Sequence, residues 1–158
     1  MAVTVAAVRQ RVAAALETTA GWTESGAVGG PQWAGTGESE QAQSGRFAVT
    51  TPSTAAYDST DAQHVPLRGA VLLASTEVRI DWRYRLRADA QVGDYDAAMT
   101  QEHALRGSLG SVDATGGVRV YESLAVPPTR EVIQDEQGHA IAVRGILTLA
   151  VIHPFARS

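Results

Sequence analysis

Cysteine is absent from the 158 residues. Disulfides and thiolate metal sites are therefore excluded, and a reducing compartment is compatible with the chain. Lysine is absent too, so all thirteen basic residues are arginine. Codon usage in a GC-rich genome accounts for that bias. The functional alternative is arginine chosen for bidentate or interface pairing. Positive charge is in deficit, with a formal net charge of −4. That balance argues against a nucleic-acid binder, because phosphate neutralisation supplies most of such affinity. No apolar run is long enough to span a bilayer. Residues 1–16 include Arg9 and Arg11 and lack the continuous apolar stretch of a signal peptide.

What is present reads as globular. Hydrophobic residues make up 44% and charged residues 19%, outside the disordered range. A chain of this length fits one domain, 1–158, and buries roughly 70% of the surface its unfolded form exposes.

Val5, Val8, Val12, Ala15 and Leu16 recur at helical spacing, with Thr4 as cap and Gly21 as stop, which predicts a helix over about 4–19. Residues 21–45 carry seven glycines among Ser, Thr, Glu and Gln and read as a long loop or arm. Trp22 and Trp33 interrupt it, either as caps on the core or as contacts to a partner. Residues 46–50 predict a short strand and 51–64 a turn-rich stretch. Alternation from Val65 to Leu73 predicts a second strand. The clearest pattern follows: Val78, Ile80, Trp82, Tyr84 and Leu86 alternate with Arg79, Asp81, Arg83, Arg85 and Arg87. Period-2 spacing puts the apolar set on one sheet face and the charges on the other.

After Gly93 the period changes. Asp94 reads as an N-cap. Tyr95, Ala98, Met99, Glu102, Leu105 and Leu109 share one helical side, with Glu102 its imperfect member, and Gly110 stops the run. Val118, Val120 and Tyr121 open another strand that ends near Pro127 and Pro128. Residues 130–134 and 140–152 flank the turn Asp135–Gly138 as a hairpin. One face of the last strand carries Ile141, Val143, Leu147, Leu149 and Val151. The other carries Ala142, Ile146 and Ala150 with Arg144 and Thr148, so the strand reads as central. The expected fold is α+β, two-layer, with a mostly antiparallel five- or six-stranded sheet and two helices packed on it.

Candidate chemistry is sparse. His64, His103, His139 and His153 share no metal-ligand spacing, and each reads as a surface or turn residue. Asp94, Asp96 and Glu102 are better explained by helix-terminus electrostatics than by acid–base work. Asp58 and Asp61 suit Asx turns. No G-x-S-x-G motif occurs, and the Gly26–Gly37 stretch lacks a following lysine and a strand-to-helix setting. No catalytic residue, metal or cofactor is expected, and the chain reads as a non-enzyme. The row Arg79, Arg83, Arg85, Arg87 is either a solvated face, with Asp81 relieving repulsion, or a protein interface, since arginine is enriched at interfaces. Trp22 and Trp33 are the other interface candidates. Single-strand nucleic-acid binding needs exposed aromatics beside the cations, and Trp82 and Tyr84 face the other way.

The order of elements resembles the tail terminator (tail completion) proteins of long-tailed bacteriophages and phage-like particles. The likeness rests on the N-terminal helix, the alternating strand Val78–Arg87, the turn Val92-Gly93-Asp94, the helix from Tyr95 to Leu109, and the closing hairpin. It covers about residues 64–153 plus the first helix, and the 21–45 loop departs from it. It implies a virion protein at the head-proximal end of the tail, assembled in the host cytoplasm. Such a protein forms a homo-oligomeric ring, usually a hexamer, that caps the tail tube and meets a neck or head-completion protein. DNA passes through the lumen without specific binding, and no membrane is involved. Two other expectations stand beside it: a head–tail connector, neck or tail-tube subunit, and a small ligand-binding α+β domain with Trp82, Tyr84 and Met99 at an apolar pocket.

Overall fold

The Thr4 side chain accepts a hydrogen bond from the Ala7 amide at 3.1 Å and starts α1, Val5–Glu17. This satisfies one of the amides a helix start leaves unpaired. Gly21, at φ +84°, makes the left-handed turn out of the helix that a side chain would resist. The computed structural model describes residues 3–24, 45–57, 71–112, 117–123 and 125–156. After α1 come β1 (Trp22–Glu24), β2 (Gly45–Tyr57), β3 (Val71–Arg85), α2 (Gln91–Ser108), a short 3-10 turn at 109–111, β4 (Arg119–Glu122), β5 (Thr129–Gln134) and β6 (Ala140–Ala156).

The six strands form one mixed sheet in the order β1-β2-β3-β6-β4, with β5 also paired to β6. Among the described residues only β1–β2 is parallel. Both helices lie on one face, which makes the two-layer α+β fold expected from the sequence. The core is a layer of Val8, Val12 and Leu16 from α1, Ala98 and Leu105 from α2, and the inward residues of the strands. Val78, Ile80, Trp82 and Tyr84 all point into it, as period-2 alternation demands. β6 is central as predicted, because β3 runs along one side of it and β5 and β4 share the other.

Several boundaries differ from the sequence reading. Residues 51–57 are strand, not turn: β2 passes Pro52 by a register shift between Thr50 and Ser53. Among the described residues β1 covers only the start of β2, so Pro52 sits on an open edge, where its missing N–H breaks no ladder. The predicted 65–73 strand lies outside the described residues at 65–70, and residues 71–73 begin β3 instead. Ala74 and Thr76 point inward and no Gly or Pro interrupts, so the two expected strands become one. The 21–45 stretch holds β1 and the start of β2 at its ends, and residues 25–44 lie outside the described set.

The second helix begins three residues before Asp94, at Gln91, without a side-chain cap. Asp94 is therefore not an N-cap. It is buried in the first turn, and Arg87 holds it by its backbone amide (2.7 Å), Nε (3.1 Å) and Nη2 (2.8 Å). Those bonds hold the Asp94 carboxyl below the ordinary carboxylate range against the opposing effect of burial. Glu102, the misfit of the apolar stripe, is buried and gripped by both Nε and Nη2 of Arg130, which ties β5 to α2. The Asp135–Gly138 turn forms as expected: Asp135 Oδ1 accepts from the amides of Gln137 and His139, and Gly138 takes φ +81°.

Candidate protein interface

The helix-free face of the sheet carries the charges. Strand register aligns Arg46, Arg83, Arg144 and Glu131 in one row across β2, β3, β6 and β5. Asp81 on β3 receives a bidentate grip from Arg144, Nε at 3.0 Å and Nη2 at 2.5 Å, and Glu131 lies 3.6 Å from the same guanidinium. Asp81 is thus bound to an arginine of β6, a pairing the sequence alone did not reveal. The bond to Asp81 raises the Arg144 pKa. For Arg83, burial first and repulsion from Arg144 second lower it. The small residues Ala48, Ala142 and Thr148 are buried on this face.

The candidate residues separate. Arg79 is half-exposed and 3.4 Å from Glu77, and Arg83 and Arg85 are partly buried on the same face. Arg87 has left β3 and serves Asp94. Trp22 is buried in the core, edge-on to Trp82 with centroids 5.8 Å apart, in line with the core-cap reading. Trp33 lies outside the described residues, as do His64, Asp58 and Asp61. Asp94, Asp96 and Glu102 do not converge: the first and last are bound to different arginines and Asp96 is exposed. Among the described residues no group of three His, Asp or Glu is placed to hold a metal ion. None of their helices is long and apolar enough to cross a membrane.

His103 and His139 are exposed, but His153 corrects the sequence reading: it is fully buried on the core face of β6. Its Nε2 lies 2.7 Å from Thr76 Oγ1 and its Nδ1 lies 3.1 Å from the Pro154 carbonyl. A carbonyl only accepts, so Nδ1 carries a proton; in the neutral ring Nε2 then accepts from Thr76, and Thr76 accepts from Thr54 at 2.9 Å. Both ring nitrogens are satisfied by neutral groups, and an odd β6 position after Val151 is the sequence signal for this placement.

A second surface escaped the sequence reading. Val92, Tyr95, Val132 and Ile141 are exposed, Val92 by 79%. The first three line an apolar groove of about 240 Å³ with Leu86, Gln91, Asp96 and Ala140, between the start of α2 and the β5–β6 hairpin. Ile141, read on one apolar face of the last strand with Val143, is 44% exposed. Val132 points to the helix side of the sheet, beyond the part the helices cover, whereas Ile141 falls at the β5–β6 register shift between Ala140 and Ala142. On the other face, at the far end of β6, Arg119 and Tyr121 of β4 are both exposed, opposite Ile152 and Ala150. Groups of exposed apolar side chains beside edge strands mark interaction surfaces.

Comparison of the sequence with protein-family models finds no match, and comparison with curated proteins finds none either.

Proposed function

We propose that this chain is a structural virion protein, a tail terminator subunit that closes into a ring on the head-proximal end of a tail tube. The observation that carries the reading is the exposure of Val92, Tyr95, Val132 and Ile141 beside the edge strand β5. A second edge, β2 beyond Phe47, has no neighbouring strand among the described residues. A lone subunit leaves such surfaces wet, whereas neighbours in a closed ring cover them. The order helix, strands, alternating strand, helix, hairpin is the feature on which the resemblance to tail terminators rests. Net negative charge suits a conduit that lets DNA pass without holding it.

The test is electron microscopy of tail tubes with and without the protein, joined to light scattering. A ring at one tube end and a mass of about 100 kDa, six subunits of 16.6 kDa, is the expected outcome. A protein that never decorates a tube end would remove the reading. A head–tail connector or neck subunit would show rings that bind the head-side partner and leave tube length unchanged.

A further inference from the structure

The α2–hairpin groove is apolar inside and acidic at its rim. Val92, Tyr95 and Val132 line it together with Asp96, which is exposed. The β4 surface has the complementary character: Tyr121 is 48% exposed and Arg119, two residues before it on the same face, is exposed as well. An aromatic beside an arginine is the pairing that anchors interfaces, and an apolar slot beside a carboxylate is what would receive it. The chain cannot satisfy itself. Val132 pairs with Val143 and Tyr121 with Ala150, so the two surfaces stand about 23 Å apart along β6 at strand rise, and on opposite faces of the sheet.

From this complementarity of charge and apolar character we infer that the groove is filled by a second copy of this chain, Tyr121 entering between Val92, Tyr95 and Val132 while Arg119 pairs with Asp96. The two surfaces lie on opposite faces of the sheet and cannot both meet one partner, so the contact is heterologous and leaves a free groove and a free tyrosine at the ends of every open chain. Repetition then yields a ring or a filament rather than a pair. The inference rests on the ring reading above and names the contact that would build it.

A charge swap tests the contact. Light scattering is run on the purified full chain across concentration, for wild type, Asp96→Arg, Arg119→Asp and the double variant. A fifth sample, Tyr121→Ala, removes the anchor. Circular dichroism and urea unfolding confirm that each is folded; all three positions are exposed, so folding is expected to survive. The expected result is assembly beyond two copies for wild type, at least a tenfold weaker association for each single variant, and recovery in the double variant. Single variants that assemble like wild type, a double variant that does not recover, or assembly that stops at two copies would overturn the contact. So would a wild type that stays at 16.6 kDa at every concentration. The outcomes separate from those of the tube experiment. Rings on tubes that ignore the charge swap sink the contact and leave the terminator reading. Swap-sensitive assembly that never meets a tube does the reverse.

Discussion

The Trp82 indole lies over Gly145, its direct register partner on β6, so closely that a Cβ at 145 would run into the ring. Trp22 treats Gly45 the same way, and the two indoles meet edge to face. Each glycine is the space that an aromatic neighbour fills. Gly145→Ala should therefore destabilise by about 1–3 kcal/mol through overpacking. Gly107→Ala, in α2 with open space around it, should instead stabilise by about 0.5–1 kcal/mol. Urea unfolding followed by tryptophan fluorescence reads both, and equal signs for the two variants would contradict the packing argument.

Asp94 gives acid sensitivity. Its folded pKa lies below the unfolded one, chiefly because Arg87 bonds to its charged form. A depressed carboxyl contributes fully above its unfolded pKa, near 4, and the contribution fades as pH falls through the lower folded value. Asp94→Asn should cost about 2 kcal/mol at pH 7. Below pH 4 the gap between variant and wild type should narrow. Urea midpoints measured from pH 7 down to pH 3 would show it, and a pH-independent gap would remove the ion pair from the account.

The Glu102–Arg130 pair should break asymmetrically. Arg130 is half-exposed and can turn to water, whereas Glu102 is 3% exposed and cannot. Arg130→Ala strands a buried carboxylate and should cost about 3 kcal/mol. Arg106, 3.7 Å away, keeps the loss from growing further. Glu102→Leu should cost about 1 kcal/mol, because it leaves no buried charge behind. Equal losses in thermal or urea unfolding would show that the carboxylate reaches solvent.

His153 should exist as one tautomer. Nitrogen-15 spectra are expected to show a protonated Nδ1 and a bare Nε2, set by the Pro154 carbonyl and the Thr76 hydroxyl. Thr76→Val removes the donor to Nε2 and should cost about 1–3 kcal/mol, the cost of an unsatisfied buried acceptor. A mixture of tautomers, or a neutral Thr76→Val variant, would mean that the chain Thr54–Thr76–His153 is not formed.

By itself the sequence determined the local periodicities: α1 with its Thr4 cap, the apolar and charged faces of β3, the Asp135–Gly138 turn, and the central standing of β6. These follow from spacing along the chain, because a side chain's direction in a helix or strand depends only on its position. What lies across the sheet was decided by the tertiary structure. The partner of Asp81 is Arg144, sixty-three residues away, and the partner of Glu102 is Arg130. His153 looked like a surface residue until β3 brought Thr76 to it. The groove at Val92, Tyr95 and Val132 was invisible for the same reason: whether an inward-pointing residue is covered depends on where the helix layer ends, and that boundary is a property of packing rather than of any local pattern.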